Sequence, residues 1–339
     1  MPRKLTLAAI RMDAAPAPTL TRLERAEALV TQAAAQGAQI AVLPEVFNTG
    51  YEYHDRNYKL AEPQDGPTLA WMKSAARKHN LYLAGSLLLH EADEIYNAMH
   101  LISPAGKTWR YDKSCPWGWE RAYFRPRQDH MAPAETELGK IGMLICWDTG
   151  HPRLWAAYAG RVDLMLVSSC PPLEHTVTHR FPDGKTARAS DLGPILSLLY
   201  RNADQIFSDF FLQQSAWLGV PAVNTTGAGT FQSGLPRPKL SYAVLLAARP
   251  DLWKYVSQAE KIVQTCGYFD QTFIADARGQ VRSRTHLNGD DVAVAEVELA
   301  DQTPIPQMSQ PKIDLSPLTY RADELVNALL VGYYNQRKN

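Results

Sequence analysis

Residues 139–153 read Gly-Lys-Ile-Gly-Met-Leu-Ile-Cys-Trp-Asp-Thr-Gly-His-Pro-Arg. The apolar run from Ile141 to Ile145 is bounded by glycine on one side and by Gly150 and Pro152 on the other, the pattern of a buried strand entering a tight loop. Cys146 is its last residue. Beyond the loop, Leu154, Trp155, Ala157 and Tyr158 fit one face of a short helix, and Val162 to Ser168 is again continuously apolar. Strand, loop, helix and strand make a βαβ unit, and functional groups in such sheets gather at the carboxyl ends of the strands. A cysteine there is a candidate nucleophile. The alternative is inert packing, because free cysteine is among the most buried residue types.

A second stretch has the same grammar. Ala38-Gln-Ile-Ala-Val-Leu-Pro-Glu45 is an apolar strand ending on one reactive side chain, Glu45, and a turn-like Val-Phe-Asn-Thr-Gly-Tyr51 follows. Lys113 closes a third strand-like run, Thr108-Trp-Arg-Tyr-Asp-Lys. Glu, Lys and Cys at three separate strand ends are the parts for acyl transfer: base, cation and nucleophile. Glu45 and Lys113 could instead form a plain ion pair, but three coincident strand ends favour catalysis.

At 339 residues, with 45% apolar residues and a formal net charge of +0, the chain has the composition of an ordinary α/β protein. Strand and helix patterns alternate without a low-complexity linker, which predicts one domain over 1–300 and an extension over 301–339. The charge balance offers no footprint for nucleic acid. Four cysteines form neither a CxxC pair nor a clustered framework, which suits a reducing compartment and a cytoplasmic location. The run Leu5 to Ile10 is too short for a signal peptide or a membrane span and reads as the first strand.

Along the chain, Thr19 or Thr21 is expected to cap a helix carrying Leu20, Leu23, Ala26, Leu29 and Val30 that ends near Gly37. A second helix is predicted over Leu69 to His79. Strands Tyr82 to Leu89 and Tyr96 to Ile102 flank the charged turn Glu91-Ala-Asp-Glu94, and Pro104-Ala-Gly-Lys107 signals a hairpin. Residues 174–191 read as polar and irregular, Leu192 to Trp217 as one long apolar helix, and Leu240 to Cys266 as helix-like. Strands follow at Gly219 to Thr226, around Thr272 to Val281 and at Val292 to Leu299. Tyr320 to Tyr334 reads as a terminal helix.

With these residues in view, the chain resembles the carbon–nitrogen hydrolase family, the nitrilase superfamily. The motifs are Leu43-Pro-Glu45 with Gly50-Tyr51, Tyr111-Asp-Lys113, and Ile141-Gly-Met-Leu-Ile-Cys-Trp-Asp148 with Pro152. Later landmarks are Val162 to Ser169, Val223-Asn224 and Asp276-Ala-Arg-Gly279. The resemblance implies a four-layer αββα sandwich that pairs into a dimer, with the helices after the cysteine and the extension at the subunit contact. It implies Glu45 as general base, Lys113 as oxyanion stabiliser, Cys146 as nucleophile, and Glu120 as the second glutamate that many members carry. Two departures stand out. Arg153 follows Pro152 where many members have Glu, and residues 234–268 form an insertion.

A thiol with an ordinary pKa near 8.5 needs a base or cation to attack at neutral pH, and Glu45 and Lys113 supply both. Lys113 and the backbone N–H of Trp147 are expected to meet the charge that develops on the attacked group. No metal or organic cofactor is required. Other readings are weaker: His175 and His179 have the i, i+4 spacing of a metal pair without a third ligand, His151 would make a Cys–His dyad where Glu45 already fills the role, and Gly227-Ala-Gly229 is a turn and no nucleotide loop. The expected substrate is a small amide, with a nitrile or an N-carbamoyl amino acid as the alternatives and a non-catalytic binding member as the different class. Asp148 leans towards amides, since nitrilases proper tend to have Glu there. Tyr51, Trp117, Trp119, Tyr123 and Trp147 are expected to line an apolar acyl pocket. Arg121, Arg125, Arg127 and Arg153 are the residues that would recognise a carboxylate instead, unless Glu120 or Asp129 occupies those in the loop.

Overall fold

The computed structural model describes residues 3–128, 131–193, 203–286 and 288–338. Its strands run β1 (Arg3–Asp13), β2 (Ile40–Val42), β3 (Tyr82–Glu91), β4 (Glu94–Ile102), β5 (Thr108–Asp112), β6 (Ala134–Thr136), β7 (Gly139–Ile145), β8 (Leu164–Ser168), β9 (Thr178–Arg180) and β10 (Thr186–Arg188). They continue as β11 (Ala222–Thr225), β12 (Gly227–Ala228), β13 (Thr230–Ser233), β14 (Val263–Gly267), β15 (Phe273–Ala275), β16 (Val281–Arg284) and β17 (Asp291–Leu299). The α-helices are α1 (Thr19–Ala35), α2 (Asn57–Leu60), α3 (Pro67–His79), α4 (Pro152–Ala156), α5 (Asp209–Leu218), α6 (Pro238–Leu245) and α7 (Pro317–Arg337).

Two large sheets carry the fold. One has the order β12-β1-β2-β3-β4-β5, with β17 also on β1, and the other has the order β16-β15-β11-β8-β7-β6. Strand alternation explains why they stack. On β1, Leu5, Leu7 and Ala9 join Ile141, Met143 and Ile145 of β7 in the core between the sheets, whereas Ala8, Ile10 and Met12 meet Leu23, Ala26 and Met72 of α1 and α3. On the far side, Trp155 packs edge-on to Phe211 of α5 at 5.3 Å, and Phe211 meets Phe273 of β15 in the same way. Helix, sheet, sheet and helix give the αββα sandwich, and the parallel pairs β7–β8 and β8–β11 bring three strand ends to one edge.

The charged hairpin at residues 91–94 forms as expected, with Ala92 at φ 52° in the turn. Several other expectations fail. Neither Thr19 nor Thr21 caps α1: Thr19 is already helical and Pro18 precedes it, without a side-chain cap. The predicted helix over Leu192 to Trp217 is not continuous, because Ala203–Phe207 is a 3₁₀ turn and, among the described residues, α-helix begins at Asp209 and runs to Leu218; residues 194–202 of that span lie outside the described residues. Within Leu240 to Cys266, α6 gives way to a 3₁₀ segment, Pro250–Lys261, and then to β14. Nor is the 174–191 segment irregular. It supplies β9 and β10 to a third sheet of order β10-β9-β14-β13, so the insertion pairs with a segment that looked like loop. Among the described residues no helix is long and apolar enough to cross a membrane.

Candidate active site

The three strand-end residues meet. Lys113 follows β5, and its backbone N–H donates to Asn97 O at 2.9 Å on the neighbouring β4. Its ammonium donates to Glu45 Oε1 and to Glu120 Oε2, each at 2.7 Å, and the side chains of Lys113 and Glu45 are wholly buried. Glu45 lies in the turn after β2. Its carboxylate also accepts from Asn97 Nδ2 at 2.7 Å and from the Cys170 backbone N–H at 3.1 Å, and it lies within hydrogen-bond reach of the Cys146 thiol. Glu120 is equally constrained: Tyr51 donates its hydroxyl at 2.6 Å, and the Trp117 backbone N–H donates at 2.7 Å.

Cys146 sits where β7 breaks into a 3₁₀ turn, Cys146–Gly150, at φ 48°. A positive φ at a residue with a Cβ is strained and turns the side chain out of the strand direction. Asp148 secures this elbow. Its carboxylate accepts from the backbone N–H groups of Cys115 (2.7 Å) and Ile145 (3.2 Å) and from the Tyr111 hydroxyl (2.8 Å), joining the cysteine turn to the chain that carries Lys113. The acid after the aromatic residue therefore positions the turn.

Burial sets the protonation states. It pushes Glu45 up to about 7, although the Lys113 ammonium opposes it. Burial also lifts the Cys146 thiol well above its ordinary range, with the Glu45 carboxylate adding to the effect. For Lys113 desolvation acts downward, but the two carboxylates outweigh it and hold the ammonium charged. The resting site is therefore a thiol beside a carboxylate and an ammonium.

A cleft of about 540 Å³ opens over Cys146. Tyr51, Trp117 and Trp147 line it, with the two indoles edge to face at 4.4 Å, and Pro171, Pro172, Ile206, Phe207 and Phe269 make the rest of the wall largely apolar. Residues 6–307 match the family model for carbon-nitrogen hydrolases. The chain belongs to the carbon–nitrogen hydrolase family. It is similar to a nitrilase of Pyrococcus abyssi, 30% identical over 131 residues, which is 38% of this chain and 50% of the relative. It is also similar to an N-carbamoylputrescine amidase of Arabidopsis thaliana, 31% identical over 142 residues, 39% of this chain and 47% of the relative. The chain thus spans about half the length of the curated relatives it matches. Its fold is like that of a carbon-nitrogen hydrolase from Helicobacter pylori G27 (TM-score 0.65, 16% identity, covering 87% of this chain and 89% of that one). An amidase from Nesterenkonia sp. gives a TM-score of 0.62 at 17% identity, covering 88% and 91%.

Other features of this carbon–nitrogen hydrolase depart from the sequence reading. Trp119 and Tyr123 do not reach the cleft: Trp119 borders a separate cavity beside β9 and β14, and Tyr123 packs on Tyr58. The four arginines are all engaged elsewhere. Arg121 pairs with Asp323, Arg127 with Glu91 and Asp112, Arg125 lies 3.7 Å from the Tyr334 ring centre, and Arg153 donates to Cys115 Sγ at 3.3 Å. None meets Glu120, and Asp129 lies outside the described residues. His175 pairs with Asp204 at 3.2 Å, while His179 contacts the Tyr242 hydroxyl at 3.2 Å, so the two histidines do not converge. Burial pushes His151 down to about 3, which leaves it neutral beside the Trp147 ring. Among the described residues no group of three His, Cys, Asp or Glu side chains could hold a metal ion.

Asn97, Glu174, Thr319 and Asp323 escaped the sequence reading. A polar residue within the largely apolar run Tyr96 to Ile102, which also holds His100, was the available signal for Asn97. Glu174 lines the cleft and accepts from Trp117 Nε1 at 2.7 Å. Thr319 and Asp323 come from α7. Thr319 lines the cleft, and Asp323 accepts from the Gly118 N–H at 2.6 Å as well as from Arg121, so the terminal helix clamps the turn that carries Trp117 and Glu120.

Proposed function

We propose that the protein is a cysteine-dependent hydrolase that cleaves the carbon–nitrogen bond of a small amide with a predominantly apolar acyl group. The observation that carries this reading is the buried Glu45–Lys113–Glu120 arrangement beside Cys146 on the floor of an apolar cleft. Cys146 Sγ attacks the carbonyl carbon while Glu45 takes the thiol proton. Of the three ammonium N–H donors of Lys113, two engage Glu45 and Glu120; the third, with the Trp147 backbone N–H, meets the oxyanion. When the carbon–nitrogen bond breaks, Glu45 returns the proton to the leaving amine and a thioester remains. Water then attacks the thioester, Glu45 accepts its proton, and the carboxylic acid leaves as the thiol is regenerated. Glu120 touches Lys113 and no reacting atom in this scheme, so its role is positioning: it aims the ammonium and helps keep it charged.

The engagement of all four candidate arginines argues against a carboxylate-bearing carbamoyl substrate. The nitrilases among the similar proteins favour keeping nitriles as the second reading. The test is ammonia release from a panel of aliphatic and arylaliphatic amides, their nitriles, and N-carbamoyl amino acids of matched size. The expected result is the highest kcat/KM for an amide; a clear preference for the carbamoyl acids would overturn the reading.

The pH profile follows from the same groups. Glu45 must be ionised to take the thiol proton, and burial pushes it up to about 7. Below that pH kcat/KM should fall about tenfold per unit. Lys113 and Cys146 titrate above their ordinary ranges, so the profile should level off on the alkaline side of neutrality instead of forming a narrow bell. A flat profile between pH 5 and 8 would remove Glu45 as the base.

Assembly into a dimer is the expectation for the extension. The apolar residues of α4 and α5 that suggested a subunit contact, Leu154, Trp155, Phe210 and Phe211, are buried within the chain itself. Ile305, Met308, Leu318, Leu325 and Val331 are exposed, and all lie in the 301–339 extension. Apolar side chains concentrated on one segment suit a contact with a second copy. Light scattering at micromolar concentration should give twice the 37.8 kDa chain mass or more; a monomer would refute the assignment. The four cysteines are free thiols, which suits a reducing compartment such as the cytoplasm.

A further inference from the structure

The cleft has one feature that the hydrolytic scheme leaves unused. Glu174 stands in the wall among Pro171, Pro172 and Phe269, on a 3₁₀ turn, Glu174–Thr176, and Trp117 Nε1 donates to its Oε1 at 2.7 Å. Among the described residues the lining includes no lysine or arginine. The nearest imidazole, His175, pairs with Asp204. No described cation of the lining meets this carboxyl group, and burial pushes Glu174 up to about 8, with Glu120 and Asp323 adding to the effect against the Trp117 hydrogen bond.

The position is built from outside the catalytic strands. Leu173 N–H donates to Gly267 O at 2.9 Å, and Pro172 bridges Tyr268, so the end of β14 in the insertion holds the turn that presents Glu174. Behind it lies a second cavity bordered by Trp119, His179, Phe231 and Gln264. The insertion therefore fixes an acid against the substrate cleft.

We propose that Glu174 is a specificity-determining residue, and that the preferred amide carries a primary ammonium at the far end of an apolar acyl chain, seated on this carboxylate. The aromatic and proline walls accept the methylenes, and the ammonium supplies a cation for the Glu174 carboxylate. An ammonium–carboxylate hydrogen bond shielded from solvent is among the stronger polar contacts available to a ligand. A carboxylate-bearing acyl group would meet Glu174 and be repelled. This inference rests on the proposed reading of Cys146 as the nucleophile of an amidase, and the experiment separates the two.

The first arm measures binding without turnover. Calorimetry on Cys146→Ala with 4-aminobutanamide, 5-aminopentanamide and 6-aminohexanamide, each against the amide in which a methyl replaces the ammonium, should show at least one amino amide binding roughly 10- to 100-fold tighter than its partner. In Cys146→Ala/Glu174→Gln that ratio should fall to near one. Glutamine keeps an oxygen for Trp117 Nε1 and removes only the charge, so thermal melting of both proteins reads any folding defect separately. The second arm measures kcat/KM for the same pairs with wild type and Glu174→Gln, where the selectivity ratio should collapse through KM. Equal binding of amino and methyl amides, or a preference that survives Glu174→Gln, overturns the role of Glu174. Selective binding that depends on Glu174, without hydrolysis of any amide by the wild type, upholds the subsite and overturns the amidase reading instead.

Discussion

Cys146→Ala is expected to lower turnover of the true substrate by roughly 10⁵-fold while leaving the fold intact, the scale seen when a covalent nucleophile is removed. The substitution removes one sulfur from a turn whose geometry is fixed by other groups. Asp148 still holds the N–H groups of Ile145 and Cys115, and Thr149 still donates its hydroxyl to the Cys146 carbonyl at 2.7 Å. No other thiol can substitute. Cys115 faces Arg153, and burial pushes it up to about 12. Cys170 contributes to the site through its backbone N–H to Glu45, which alanine also has. Cys115→Ala, Cys170→Ala and Cys266→Ala should therefore retain turnover. Circular dichroism and melting establish the fold, and ammonia release establishes the rate. Activity above about 1% of wild type in Cys146→Ala would show that the sulfur is not the attacking atom.

Lys113→Met should damage both activity and stability. The loss of an oxyanion donor lowers kcat by about 10²- to 10³-fold. The folding effect is larger than that of an ordinary surface ion pair, because Lys113 is wholly buried between two carboxylates. Removing the only cation from such a group destabilises by about 3–5 kcal/mol. Glu45, already raised by burial and deprived of the opposing ammonium, would then hold its proton more tightly in the folded than in the unfolded chain. The folded state binds more protons, so its stability falls as pH rises, and the deficit against wild type should widen between pH 5 and 8. Calorimetric melting across that range checks the sign. Adding Glu120→Gln should recover part of the melting temperature without recovering turnover; a melting temperature unchanged in Lys113→Met would refute the coupling.

What the sequence disclosed and what it concealed divide along a physical line. The meeting of Glu45, Lys113 and Cys146 was legible because each ends a strand-like run, and strand ends on the same side of two stacked sheets are close in space whatever lies between them. The sandwich was anticipated through the resemblance that these motifs carry, whereas the alternation of strand and helix patterns by itself indicated only an α/β protein. Partners supplied over long range were not. Asp323 reaches Gly118 across 205 positions, and Glu174 reaches Trp117 across 57, through hydrogen bonds that no local pattern encodes. Residues 174–191 looked like loop because β9 and β10 have three residues each and gain their regularity from β14, far along the chain. The long helix expected from Leu192 failed because apolar content alone does not distinguish a continuous helix from 3₁₀ and α segments packed on one core.

The clamp by α7 also dictates an order of events during synthesis. Glu45, Lys113, Cys146 and Glu174 all emerge from the ribosome before Thr319 and Asp323, which close the cleft and hold Gly118. The Tyr320 hydroxyl adds a bond to Gly150 O at 2.7 Å, at the end of the cysteine turn. A nascent chain that already contains every group the chemistry needs therefore still lacks the piece that fastens its acidic turn and walls its cleft. On the proposed reading, the wall of the cleft is completed only when α7 docks, after every group of the catalytic set has been translated.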